Sequence, residues 1–393
     1  MNKNVWLLTA CQSLMMTNNA LLLTASALVG AMLADNVALA TLPLALQFFA
    51  TMLASIPASL IMKQHGRRYG FMLGTVIGML GAVIATVAIY RADFWLFCLG
   101  TMLVGVFNGF GGYYRFAAVD AVSEDFRSRA ISYVMAGGVI AAVIGPNIVG
   151  WTHDAISGIK FAGSYIAILI LYIMSFTILS FVQITKLQPE QNELAASRPL
   201  TVVIRQPLFV IALISAMFGY AVMSLVMTAT PLSMHHHHHS LSDTVFVIQW
   251  HVLGMFAPSF FTGKLISRYG VINIMLAGVV FLLLAVTGNL LGTTLWYYWV
   301  ALFLLGVGWN FLYIGATDLL TYTYSEGEKA KAQAFNDFFV YGSVTIAALT
   351  AGYLQYTFGW RVVNLGVLPL IVSILMALVW LKLSKQEPVL VTG

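Results

Sequence analysis

Twelve apolar stretches follow one another along the chain, at about 5–30, 38–62, 70–90, 94–119, 128–152, 162–185, 206–233, 242–264, 271–291, 295–320, 332–355 and 360–382. Each is roughly 20 residues long, enough for an α-helix to cross about 30 Å of hydrocarbon. Polar residues gather in short turns between them. The long polar segment is KLQPEQNELAASRPLTVVIRQ, after the sixth stretch. The pattern predicts an all-α integral membrane protein with twelve transmembrane helices. It divides them into a six-helix bundle over 1–185, a cytoplasmic linker over 186–205 and a second six-helix bundle over 206–393.

Composition agrees. Hydrophobic residues make up 60% of the chain and charged ones 8%, where a soluble domain carries about 25% charged residues. Basic residues fall on alternate turns. With the N-terminus inside, the cytoplasmic turns collect Lys3, Lys63, Arg67, Arg68, Arg127, Arg129, Arg198, Arg268, Lys329 and Lys382, while the outer turns keep Arg91, Lys160 and Arg361. The expected topology therefore has both termini cytoplasmic and the turn after the seventh stretch outside. The net charge of +5 follows from that topology and gives no reason to expect nucleic-acid binding. The first stretch has no small-residue cleavage site and reads as a retained helix. Cys11 and Cys98 lie in apolar stretches, so no disulfide framework is expected. There is no phosphate-binding Gly-rich loop with Lys-Ser/Thr, no HExxH and no large soluble domain. An enzyme or an ATP-driven pump is not expected, nor is a cofactor.

The two halves repeat each other. SLIMKQHGRR follows the second stretch and GKLISRYG the eighth. GVFNGFGGYYRFAAVDAVSEDFRSRA in the fourth reads against GVGWNFLYIGATDLLTYTYSEGEKAKA in the tenth. Parallel six-helix repeats put a solute path between the halves. KQHGRRYG resembles the loop between helices two and three of major facilitator transporters. It departs from the usual G-x-x-x-D-R-x-G-R-R at Lys63 and Gln64, and in the second half Ser267 replaces the Asp while Arg268 and Gly270 remain. Gly145 and Pro146 resemble the Gly-Pro motif of helix five, and Arg115 the intramembrane arginine of helix four. The resemblance implies the major facilitator fold across the whole chain.

Five histidines, His235, His236, His237, His238 and His239, follow the seventh stretch and read as a solvated outer loop that captures metal. Beneath them, Met223 and Met227 share one helix face, as do His251 and Met255 on the next helix. Helix rise places the pairs at matched depth, as a four-ligand ladder. Three thioethers and one imidazole without a carboxylate favour Cu(I). MSLVM and HVLGM resemble the paired motifs of the CcoA-like (CalT) copper importers, facilitators that supply copper for haem-copper cytochrome oxidase assembly. The resemblance implies that Met223, Met227, His251 and Met255 bind copper as the transported substrate, in the bacterial cytoplasmic membrane, with the lipid bilayer as the only other partner and a monomer as the functional unit.

One branch of that family is associated with riboflavin. Tyr113, Tyr114, Trp309 and Tyr313, on helices four and ten, could stack on a flat ring, or could pack helices. Uptake of riboflavin or another small organic solute is therefore the alternative to copper import. Asn18, Asn19, Asn108, Asn310 and Asn336 are expected mainly to bond between helices, and Gln47 in helix two is a further polar residue at membrane depth. Arg115 and Asp318 are the expected gating or coupling charges.

Overall fold

A computed structural model describes residues 3–114, 117–118, 127–183, 198–325 and 328–384. The first half holds α1 (Lys3–Leu33), α2 (Leu42–His65), α3 (Arg67–Arg91), α4 (Phe94–Gly111), α5 (Arg127–Thr152) and α6 (Ala162–Ser180). The second holds α7 (Pro207–His236), α8 (Leu241–Phe256), α9 (Ser259–Tyr269), α10 (Val271–Leu291), α11 (Leu295–Thr321), α12 (Lys329–Gly366) and α13 (Leu368–Leu383). In hydrocarbon every backbone N–H and C=O must be paired within the chain, and the helix does this locally.

Among the described residues, ten helical stretches are long and apolar enough to span a bilayer. One of them, Lys331–Leu383, holds two passes, because Gly359 turns the chain at φ 78°. α5 adds a pass through its apolar part, Gly137–Thr152. Twelve passes result among the described residues. Three boundaries differ from the sequence reading. α4 is regular to Gly111; Gly112 and Tyr113 interrupt its ladder with Gly112 still in the helical region, and Tyr114, Ala117 and Ala118 are again helical. The eighth pass breaks after Phe256, ahead of Pro258, into α8 and α9. The histidines do not form a free loop, because α7 continues through His236.

Each half has its own apolar core, one running from Val5 to Val182 and the other dominated by residues from Val203 to Leu381. The repeat is visible in the backbone. Gly66 separates α2 from α3 at φ 92°, ψ 156°, and Gly270 separates α9 from α10 at φ 82°, ψ 148°. That region of φ/ψ space is essentially closed to residues with a Cβ.

The halves meet along two seams, α2 against α12 and α5 against α8, and α1 also touches α7. We call the two ends of the bundle the His-loop end and the termini end. At the His-loop end the Thr41 hydroxyl accepts from the Gly352 N–H at 3.1 Å and donates to the Leu349 carbonyl at 3.4 Å. Further down, Asn147 Nδ2 donates to Gln249 Oε1 at 2.8 Å.

Candidate functional site

An aromatic cage occupies the middle of the second half. Trp309 and Tyr313 lie one turn apart on α11, with ring centroids 4.9 Å apart and planes 11° from parallel. Tyr220 of α7 stands edge-on to both, at 5.2 and 5.6 Å. Tyr341 of α12 and Phe256 of α8 close the sides, 6.4 Å from Tyr220 and 6.3 Å from Trp309. Trp309 is 6% exposed and its indole N–H has no partner within the protein. An unpaired buried donor costs about 1–3 kcal/mol. Ser224 and Thr228 follow Tyr220 at helical spacing. Their hydroxyls are also buried and unpaired, whereas Thr230 on the same helix bonds the carbonyl four residues back. The face of α7 that carries Tyr220 thus keeps polar groups uncommitted.

Of the four aromatics singled out by sequence, the structure brings Trp309 and Tyr313 together and separates Tyr113 and Tyr114 from them. Tyr114 is fully buried against Phe71 in the first core, at 4.6 Å. Tyr113 donates to the Ser55 carbonyl at 3.1 Å. Tyr220 and Tyr341 were not legible. Each is a lone tyrosine on its own helix, and only the convergence of α7, α11 and α12 joins them.

The first half carries a buried amide group. Asn19 Oδ1 accepts from Asn108 Nδ2 at 2.9 Å and from Gln47 Nε2 at 3.4 Å. α1, which carries Asn19, touches α7 of the second half. Asn310 is spent differently. It donates to the Met255 carbonyl and to Ser259 Oγ and accepts from Thr262, tying together the break in the eighth pass.

Met223, Met227 and Met255 are buried in the second core, and His251 is completely buried. α7 and α8 touch each other only slightly. α8 lies mainly on α11 and α5, and α7 on α12 and α11. The imidazole of His251 is directed to α11, with Nδ1 2.7 Å from the Leu302 carbonyl. A carbonyl only accepts, so Nδ1 carries the proton and Nε2 keeps its lone pair. Nε2 is buried without a partner.

The histidine run is anchored. His237 Nδ1 lies 2.7 Å from the Ser233 carbonyl and 3.3 Å from the Tyr298 hydroxyl, and His239 Nε2 lies 2.7 Å from the Thr293 carbonyl. His235, His236 and His238 are exposed. A Ser240–Asp243 capping box then starts α8. Among the described residues no three His, Cys, Asp or Glu side chains are grouped to hold a metal ion. Cys11 and Cys98 are free and buried.

Of the two expected gating charges, Arg115 lies outside the described residues, and Asp318 is half-buried in the last turn of α11. Sequence reasoning missed an ion pair at the termini end. Arg198 Nε and Nη2 donate to the two Glu328 oxygens at 2.7 and 2.8 Å, and the Arg198 backbone N–H donates to Oε1 at 2.7 Å. Arg198 holds the Glu328 carboxyl down at about 2.

The model of the Major Facilitator Superfamily matches residues 5–343 and, again, 213–393. The chain belongs to this superfamily. Among its members, the chain is 39% identical over 378 residues to the riboflavin transporter RfnT of Brucella anthropi, covering 96% of this chain and 95% of that one. It is 26% identical to the uncharacterized MFS-type transporter YddS of Bacillus subtilis, over 91% of this chain and 87% of the relative. A crystal structure of a bacterial homologue of the iron transporter ferroportin, in an outward-facing state, superposes with a TM-score of 0.67 at 14% identity, covering 97% and 100% of the two chains. That likeness is one of facilitator fold. The expected resemblance to the copper-importing branch gains no support from these relatives, none of which is named for copper.

Proposed function

We propose that the protein is a secondary transporter that takes up riboflavin, or a closely similar flat heteroaromatic solute, across the cytoplasmic membrane by alternating access. The observation that carries this reading is the mid-depth cage of Trp309, Tyr313, Tyr220 and Tyr341, in a chain 39% identical to a riboflavin transporter. Near-parallel rings with a third edge-on suit an isoalloxazine, whose faces stack and whose edge carries carbonyl acceptors. The unpaired Trp309 N–H supplies a donor for such a carbonyl. The halves rock about the α2–α12 and α5–α8 seams, and the Thr41 contacts are broken when the His-loop end opens.

In this reading both termini are cytoplasmic and the His-loop end faces outward. The solute is neutral, so the membrane potential does no work on it directly. Accumulation against a gradient then requires a coupled ion, for which Arg115 and Asp318 are the candidates.

Copper import through Met223, Met227, His251 and Met255 is the second reading. The observation that favours it is the buried lone pair of His251 Nε2. It is the weaker reading because α7 and α8 converge on α11 rather than on each other. One experiment separates the two. Cells expressing the protein are given radiolabelled riboflavin and, in parallel, radiolabelled copper. Riboflavin uptake lost in Trp309→Ala and kept in Met227→Leu supports the flavin reading. Copper uptake lost in Met227→Leu and His251→Ala, with no riboflavin uptake in the wild type, overturns it.

A further inference from the structure

We infer that Asn19, Gln47 and Asn108 form a second subsite, an uncharged amide cluster that receives the hydroxyl groups of the solute's polyol chain while the cage holds its ring. The inference rests on the flavin reading and adds to it the part of the solute that the first half recognises.

The hydrogen-bond pattern makes the case. Asn19 Oδ1 is the hub and accepts twice. Both incoming bonds use the nitrogens of Gln47 and Asn108, which fixes how those two amides are turned. Their oxygens are then left over. Gln47 Oε1 and Asn108 Oδ1 are buried and have no partner within the protein, and Gln47 is only 2% exposed. A cluster serving only to join α1, α2 and α4 would be expected to spend its acceptors as well as its donors, since a buried unpaired oxygen is costly. Asn310 shows the satisfied alternative, with donors and acceptor all engaged.

Two unpaired carbonyl-type oxygens ask for O–H or N–H donors. A chain of hydroxyls meets that need, and each hydroxyl keeps an acceptor capacity for a neighbouring N–H. Position agrees with chemistry. Asn108 lies about 21 Å along α4 from its start and Trp309 about 21 Å along α11 from its start. Both helices start at the His-loop end, so the subsite and the cage lie at one depth. Asn19 lies on α1, the first-half helix that touches α7 of the second half. Asn18 is turned about 100° from Asn19 on the helix and is not part of the subsite.

The test compares riboflavin with lumiflavin, which has the same ring and a methyl group in place of the polyol. Binding to the purified full-length protein is followed by quenching of tryptophan fluorescence. We expect wild-type protein to bind riboflavin about tenfold tighter than lumiflavin, the worth of one or two neutral hydrogen bonds. In Asn108→Leu and in Gln47→Leu, riboflavin affinity falls toward that of lumiflavin, and lumiflavin affinity stays put. A general packing defect would weaken both ligands and leave their ratio unchanged. Equal wild-type affinities, or variants that weaken both ligands alike, overturn the subsite and leave the flavin reading standing. Failure of both ligands to bind the wild type overturns the flavin reading and the subsite with it.

Discussion

The two halves share a backbone and differ in what they turn toward each other. Gly66 and Gly270 make the same turn at the same place, and the α2–α12 and α5–α8 seams are counterparts under the repeat. Yet at one depth, in the corresponding helices α4 and α11, the first half places the amide of Asn108 and the second the indole of Trp309. Repeated geometry serves the motion, which needs two matched rigid bodies. Under the flavin reading, the unmatched chemistry would serve recognition, because a solute with a flat apolar ring and a polar tail is itself two-sided.

The largest effect is expected at the cage. Trp309→Ala should raise the half-saturation concentration for riboflavin uptake about 10- to 100-fold, on the scale of ring-on-aromatic stacking at about 1–3 kcal/mol. Trp309→Phe should recover most of it. An unchanged uptake curve in Trp309→Ala would dissolve the contrast between the halves.

The matched turns come next. Gly66→Ala and Gly270→Ala should each destabilise the purified protein by about 1–3 kcal/mol, since both hold φ/ψ values reserved for glycine. A Cβ at either would meet nothing within 4 Å, so the cost is backbone strain alone. Thermal melts of the two variants should agree. A large disparity would mean that the repeat does not extend to energetics.

The Arg198–Glu328 pair ties the linker to the second half and sharpens the comparison through pH. Glu328 has a native pKa of about 2, below its ordinary 4.5. The unfolded carboxyl therefore takes up protons first as pH falls. The contribution of the pair is full above about 4.5 and is lost between there and about 2. Melting temperature against pH should show this decline in the wild type and a smaller one in Glu328→Gln. At neutral pH that variant should be less stable by about 1–3 kcal/mol, the worth of hydrogen bonds to a charged group.

The smallest effect is expected at the His-loop end. Replacing His235 to His239 with serine should leave riboflavin half-saturation within about twofold, because the anchored imidazoles His237 and His239 bond carbonyls at the surface rather than the cage. Loss of uptake in that variant would move part of recognition out of the centre of the bundle.

The passes were legible because hydrocarbon imposes length and apolarity on every span, whatever its neighbours. Their ends were not, because a helix extends past its apolar stretch where its own hydrogen bonds and caps allow, as α7 does through His236. The Trp309–Tyr313 pair was legible because a four-residue spacing is local. Tyr220 and Tyr341 join it only through three-helix packing, which no local spacing encodes. Helix rise puts the Met and His residues at matched depth, but depth does not say which neighbour a helix faces. His251 turned to α11 rather than α7.

The meeting of α8 and α11 has an evolutionary consequence. A Cβ at Gly306 would run into the His251 carbonyl oxygen, and one at Gly254 into the Phe303 carbonyl oxygen. Neither position can drift to a larger residue without prying the two backbones apart. A descendant of this chain that acquires a new cargo would be expected to keep both glycines and to change Tyr220, Tyr341 or Asn108, where a side chain can be exchanged without moving a helix.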